Sequence, residues 1–209
     1  MEAPVFIIAG HNKNAPGAIG FDGITEHERT TDLQRRVALH SYNVLRNFGT
    51  SMEVLTDAEE KSNAQVRTWI KQHQQKGSRG IDIHFNNNNP KASGTEIIIH
   101  PNTSNENKRR AIWLVNNVAG ALGLNVRQRE KGRDYIYPHE TFVGSLPIIE
   151  KTDIPFILLE VCFLNEYDLK RYNGREEIIA HIIRWGMLLL DFSEPGSETQ
   201  TITLPLYQS

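Results

Sequence analysis

Ile154-Pro155-Phe156-Ile157-Leu158-Leu159 is a continuous apolar run that ends directly in Glu160. An apolar run this short, rich in β-branched and aromatic side chains, is a strand covered on both faces, as in a sheet with helices above and below it. The rest of the chain fits that demand. Apolar stretches at Pro4–Ala9, Met52–Leu55, Ile81–Phe85 and Glu96–Ile99 alternate with segments of helical period at Thr30–Asn47, Asn63–Gln75, Asn105–Leu122, Glu166–Tyr172 and Arg175–Leu190. Asp134–Tyr137 reads as a short edge strand and Gly144–Ile149 as a short helix or loop. Alternating strands and helices predict an α/β fold, a three-layer sandwich whose twisted, mainly parallel central sheet is flanked by helices.

At 209 residues the chain has room for one well-buried core. We read residues 1–192 as that domain and 193–209, polar and rich in Ser and Thr, as a C-terminal tail or linker stub. Charge is balanced, with 23 Lys and Arg against 25 Asp and Glu, so no basic excess points to nucleic acid or to an anionic membrane. No apolar run approaches the ~20 residues of a membrane helix. Met1-Glu2-Ala3-Pro4 enters the first strand without a basic n-region or an apolar h-region, so no signal peptide is read. The expectation is a monomer made in the cytoplasm. The single cysteine, Cys162, lies between Val161 and Phe163, which excludes an internal disulfide and reads as a buried structural thiol.

Three strands end in groups suited to chemistry. Val5–Ala9 runs into Gly10-His11. Gly80–Phe85 carries His84 and stops at four asparagines, Asn86 to Asn89, and Pro90. Ile154–Leu159 delivers Glu160. Sites in open α/β sheets lie outside the carboxyl ends of the strands. Two histidines and an acid there would form the three-ligand shell of a zinc hydrolase, with a further carboxylate as general base and acid. These residues are far apart in sequence, unlike HExxH, where one helical turn fixes the geometry. The acid of the first half is either Glu26 or Glu28, both just before a helix, where acids also complement the helix dipole. Glu160, set among apolar neighbours, is costly to bury unless paired, metal-bound or catalytic. His27, His40, His73 and His181 read as surface residues, while His100 and His139 could each line a cleft.

Four stretches stand in order along the chain: Ile7-Ile8-Ala9-Gly10-His11 with Pro16-Gly17-Ala18; Gly23-Ile24-Thr25-Glu26; Asp82-Ile83-His84-Phe85-Asn86 with Gly94-Thr95-Glu96; and Thr152-Asp153-Ile154-Pro155 with Leu158-Leu159-Glu160-Val161-Cys162-Phe163-Leu164. Together they resemble the zinc-dependent N-acetylmuramoyl-L-alanine amidases of the type-3 family. The resemblance spans residues 4 to 191. It implies a peptidoglycan hydrolase that cuts the amide between N-acetylmuramic acid and L-alanine, with Zn2+ held by His11, Glu26 and His84 and with Glu160 as general base and acid. Glu26 is preferred because it completes Gly-x-x-Glu. Asn86 is the candidate substrate-binding residue. The chain departs from the family pattern at Asn12-Lys13 in place of glycines, at Asp82 in place of serine, in the run Asn86 to Asn89, and at Asn165-Glu166. A catalytic domain without an evident signal peptide or wall-binding module suits a phage-type endolysin that reaches the cell wall by another route. The loop 86–93 and the region 127–144 are the alternatives for a lid.

Overall fold

A computed structural model describes residues 3–48, 53–57, 60–87 and 91–199. Among these, β1 (Val5–Ala9), β2 (Val54–Thr56), β3 (Arg79–Asn86), β4 (Glu96–Ile99) and β5 (Phe156–Phe163) form one sheet in the order β2-β1-β3-β5-β4. All neighbours are parallel except β4, which runs antiparallel to β5. The helices are α1 (Glu26–Phe48), α2 (Asn63–His73), α3 (Asn105–Leu122), α4 (Pro147–Glu150), α5 (Glu166–Tyr172) and α6 (Glu176–Arg184).

The period-2 alternation of β1 assigns the layers. Val5 and Ile7 pack with Leu33 and Val37 of α1, Leu114 and Val118 of α3, and Ile179 and Ile183 of α6. Phe6 and Ile8 pack on the opposite face with Val66 and Ile70 of α2 and with Ile148 and Ile149 of α4. Each such side chain removed from water contributes ~1.5–3 kcal/mol. The α/β sandwich expected from the sequence is therefore present.

Strand order places the site. The chain leaves β1 through α1 to reach β2 on one side, then returns through α2 to β3 on the other. The gap between the carboxyl ends of β1 and β3 is the switch point of the sheet, where crossovers diverge and a crevice opens.

Four local differences from the sequence reading stand out. α1 begins at Glu26 rather than Thr30, because Thr25 and Glu28 form a reciprocal cap. The Glu28 N–H donates to Thr25 Oγ1 at 3.2 Å, and the Thr25 N–H donates to the Glu28 carboxylate at 2.8 Å. β5 continues through Glu160 to Phe163, so Glu160 lies inside a strand. Segment 134–137 makes a single bridge, Ile136 to Ile98, and this blunts the exposed edge of β4. The closing helix ends at Arg184 and passes into a π-helical turn, Trp185–Leu189, whose Gly186 and Met187 carbonyls accept from Arg110 and Arg79. The tail expected over 193–209 lies outside the described residues from position 200 onward.

Candidate active site

His11 follows the end of β1 in the left-handed region, with φ 67°. Non-glycine residues seldom adopt that backbone, and it swings the imidazole over the switch point. His84 comes from β3 and Glu26 from the first turn of α1. Glu26 Oε2 lies 3.0 Å from His11 Nε2, and Glu26 Oε1 lies 3.0 Å from His84 Nδ1. The same Oε1 accepts the Phe85 N–H at 3.1 Å. The two rings meet edge to face, 5.2 Å between centroids.

The sequence is shaped to let these groups close in. A Cβ on Gly10 would stand 2.6 Å from the His84 ring and from the Ile83 carbonyl oxygen. A Cβ on Gly17, where φ is +75°, would stand 2.7 Å from Glu26 Oε2 and 2.8 Å from the His11 ring. Both positions therefore need glycine. Thr30 Oγ1 donates to the Gly10 carbonyl at 2.8 Å and ties the turn to α1.

Glu26 and Glu28 are now distinct. Glu26 is 5% exposed and faces both imidazoles, whereas Glu28 is spent on capping Thr25. Burial works against ionising Glu26, but hydrogen bonds and the charges of His11 and His84 prevail and hold its carboxyl down at about 2. Burial likewise opposes protonation of His84, yet Asp82, Glu26 and Glu160 together raise it well above the usual histidine value. Asp82 supports the ring from behind, with Oδ2 3.3 Å from His84 Nε2. Two imidazoles and one carboxylate whose donor atoms all lie within 4.8 Å of one another match the donor set of a zinc hydrolase.

Glu160 stands in register with His84 on one side and with Glu96 on the other. Its Oε2 is buried without a hydrogen-bond partner. Burial pushes its carboxyl up to about 8; His84 pulls down, while Glu26, Glu96 and Asp82 push further up. A buried, unpaired carboxylate oxygen beside a metal-type donor set is what a group that takes up and returns a proton requires.

Beside Glu160 lies a cleft of about 250 Å³, lined by Asn86, Glu96, Arg129, Thr141, Phe142 and Val143 among others. Asn86 donates to Glu96 Oε2 at 3.0 Å, and Glu96 also pairs with Arg127. The region 127–144 thus supplies part of the cleft wall; the loop 86–93 falls partly outside the described residues. Asp168, fully buried, accepts from the Gly94 and Phe163 backbone N–H groups at 3.0 and 2.9 Å and braces the loop leaving the site.

The sequence reading quoted Asp82 and Glu96 within the family stretches but gave them no role, and it did not single out Arg129. Strand alternation could have found Asp82, which shares a face with His84 two residues on. Nothing local announces Arg129. His100 lines a separate cavity and His139 stacks on Tyr137, so neither joins the site. His27 and His181, expected at the surface, are buried. Cys162 is buried and its thiol is pushed well up by that burial, as a structural cysteine should be.

Residues 5–184 match the family described as N-acetylmuramoyl-L-alanine amidase. Among solved structures, the chain is similar to the catalytic domain of CwlV, an N-acetylmuramoyl-L-alanine amidase from Bacillus (Paenibacillus) polymyxa var. colistinus, at 23% identity and TM-score 0.68, over 89% of this chain and 96% of that one. It is similar to the CwlD amidase of Clostridioides difficile, solved with the GerS lipoprotein, at 18% identity and TM-score 0.67 over 88% and 96%. It is also similar to the catalytic domain of the CD27L endolysin targeting Clostridia difficile, at 20% identity and TM-score 0.64 over 90% and 97%. No curated protein matches by sequence.

Proposed function

This chain belongs to the N-acetylmuramoyl-L-alanine amidase family, and on that premise we propose that it works with one zinc ion held by His11, Glu26 and His84 and with Glu160 as the proton carrier. It is a peptidoglycan hydrolase that cleaves the amide between N-acetylmuramic acid and L-alanine. The observation that carries the residue assignment is the convergence of His11, Glu26 and His84 beside the unpaired Oε2 of Glu160.

Zinc, when bound, supplies a Lewis acid and brings the pKa of a water toward ~7. Every other part of the step belongs to side chains. Glu26, held at about 2, is an anion at any working pH and offsets cationic charge. Asp82 fixes the tilt of His84 through Nε2, leaving Nδ1 facing Glu26. Glu160 takes the proton of the attacking water. It then delivers that proton to the L-alanine nitrogen as the C–N bond breaks. Asn86, with Glu96 and Arg129 in the adjoining cleft, binds the stem peptide. Residues 1–192 act as the catalytic domain, a boundary supported by Phe192, which packs fully buried in the core. The enzyme acts as a monomer in the manner of an endolysin.

The test pairs zinc content with release of L-alanine amino termini from peptidoglycan. Wild type should hold about one zinc at this site and release amine. His84→Ala should lose both, and Glu160→Gln should keep the metal and lose release. Amine release that survives chelation would overturn the metal mechanism.

A further inference from the structure

α1 carries a second group of metal-type donors. His40 lies fourteen residues beyond Glu26, ~20 Å along the helix at 1.5 Å per residue, so it is independent of the site above. Its Nε2 stands 2.5 Å from Glu177 Oε2 on α6. One helical turn on from Glu177, His181 stacks its ring on that of His40, 4.1 Å between centroids and tilted by 30°. Donor atoms of His40, Glu177 and His181 all lie within 4.8 Å of one another.

We propose that His40, Glu177 and His181 form a second divalent-cation site, of the zinc, cobalt or nickel class, that ties α1 to α6. An ion pair between His40 and Glu177 accounts for two of the three groups. The third group, His181, stacks on the His40 ring and is itself 7% exposed. Two imidazoles and a carboxylate are the ligand chemistry of this metal class. The surrounding charges leave room for a cation. Arg36 already occupies the other oxygen of Glu177, and it is itself balanced by Asp32 at 2.8 Å. Bonds of ~2.0–2.1 Å at tetrahedral angles hold ligand atoms roughly 3.3 Å apart. The His40–Glu177 contact must therefore open slightly, which two partly exposed side chains can do.

Equilibrium dialysis of chelator-stripped full-length protein against zinc chloride, with visible absorption of the Co2+ form, tests the site. His40→Gln and His181→Gln should each bind one equivalent fewer than wild type and lose one set of Co2+ bands, while amine release from peptidoglycan persists. His84→Ala should lose a different equivalent, so the two sites fail separately. Because His181 is buried, His40→Gln, at a partly exposed position, decides if His181→Gln does not fold. A stoichiometry that His40→Gln leaves equal to that of wild type would overturn the proposal.

Discussion

Glu26 gives one carboxylate oxygen to each of two imidazoles, and Glu160 gives one oxygen to nothing. These opposite states assign different tasks to two buried acids. Replacing Glu160 by Gln removes the proton carrier without touching the donor set, so kcat should fall by ~10²–10⁴ with zinc content unchanged. Glu96→Gln tests the field around it. The Glu96 carboxylate raises the Glu160 pKa, so its removal lowers that pKa, and the acid limb of kcat/KM should move to lower pH. An unmoved or upward-shifted limb would refute this coupling. Asp82→Asn weakens the grip on His84 Nε2 and should cost ~10–100-fold in zinc affinity, read by competition with a chelating dye.

The first turn of α1 shows how an element serves the site. Its start is set by the Thr25–Glu28 cap, and Glu26 sits within that cap. Thr25→Ala should lower stability by ~1 kcal/mol, seen in urea unfolding, and should weaken zinc binding because Glu26 is less well held. Glu28→Ala should cost stability but retain the metal, whereas Glu26→Ala should lose it. The turn between β1 and α1 is equally constrained. Gly17→Ala combines a left-handed φ with a Cβ clash against both Glu26 and His11, so zinc binding and the melting temperature should both fall.

In the whole molecule, the charges gathered at the switch point make the metal-free protein sensitive to pH. Glu160, raised from 4.5 to about 8, keeps its proton in the folded state over a range where the unfolded chain has lost it, so stability falls as pH rises through that window. His84, raised above 6.5, acts in the same direction, its contribution being lost as pH rises through its folded value. Glu26, lowered from 4.5 to about 2, contributes above 4.5 and is lost as pH falls toward 2. Chelator-treated protein should therefore melt at a lower temperature at pH 8 than at pH 5. Zinc should raise the pH 8 value most, and metal-free Glu160→Gln should show a flatter profile. A metal-free melting temperature that climbs from pH 5 to pH 8 would contradict this balance.

Local pattern was enough for the layers and for placing His11, His84 and Glu160 on or beside strands, though Glu160 lies inside β5 rather than at its end. Apolar runs such as Ile154–Leu159 bury only between helices, and period-2 and helical spacings act over a few residues, so they are written in contiguous sequence. His11, His84 and Glu160 were legible because each follows or interrupts such a run. The choice between Glu26 and Glu28 was not legible from spacing. It depends on which carboxylate the capped turn aims at β1 and β3, and that is set by the parallel pairing of strands more than seventy residues apart in sequence. The Glu96–Arg127–Arg129 wall and the His40–Glu177–His181 cluster were likewise invisible, since each joins residues remote in sequence that meet only when helices and strands pack. Contacts of that kind arise from the path of the chain through space, which no short window of residues records.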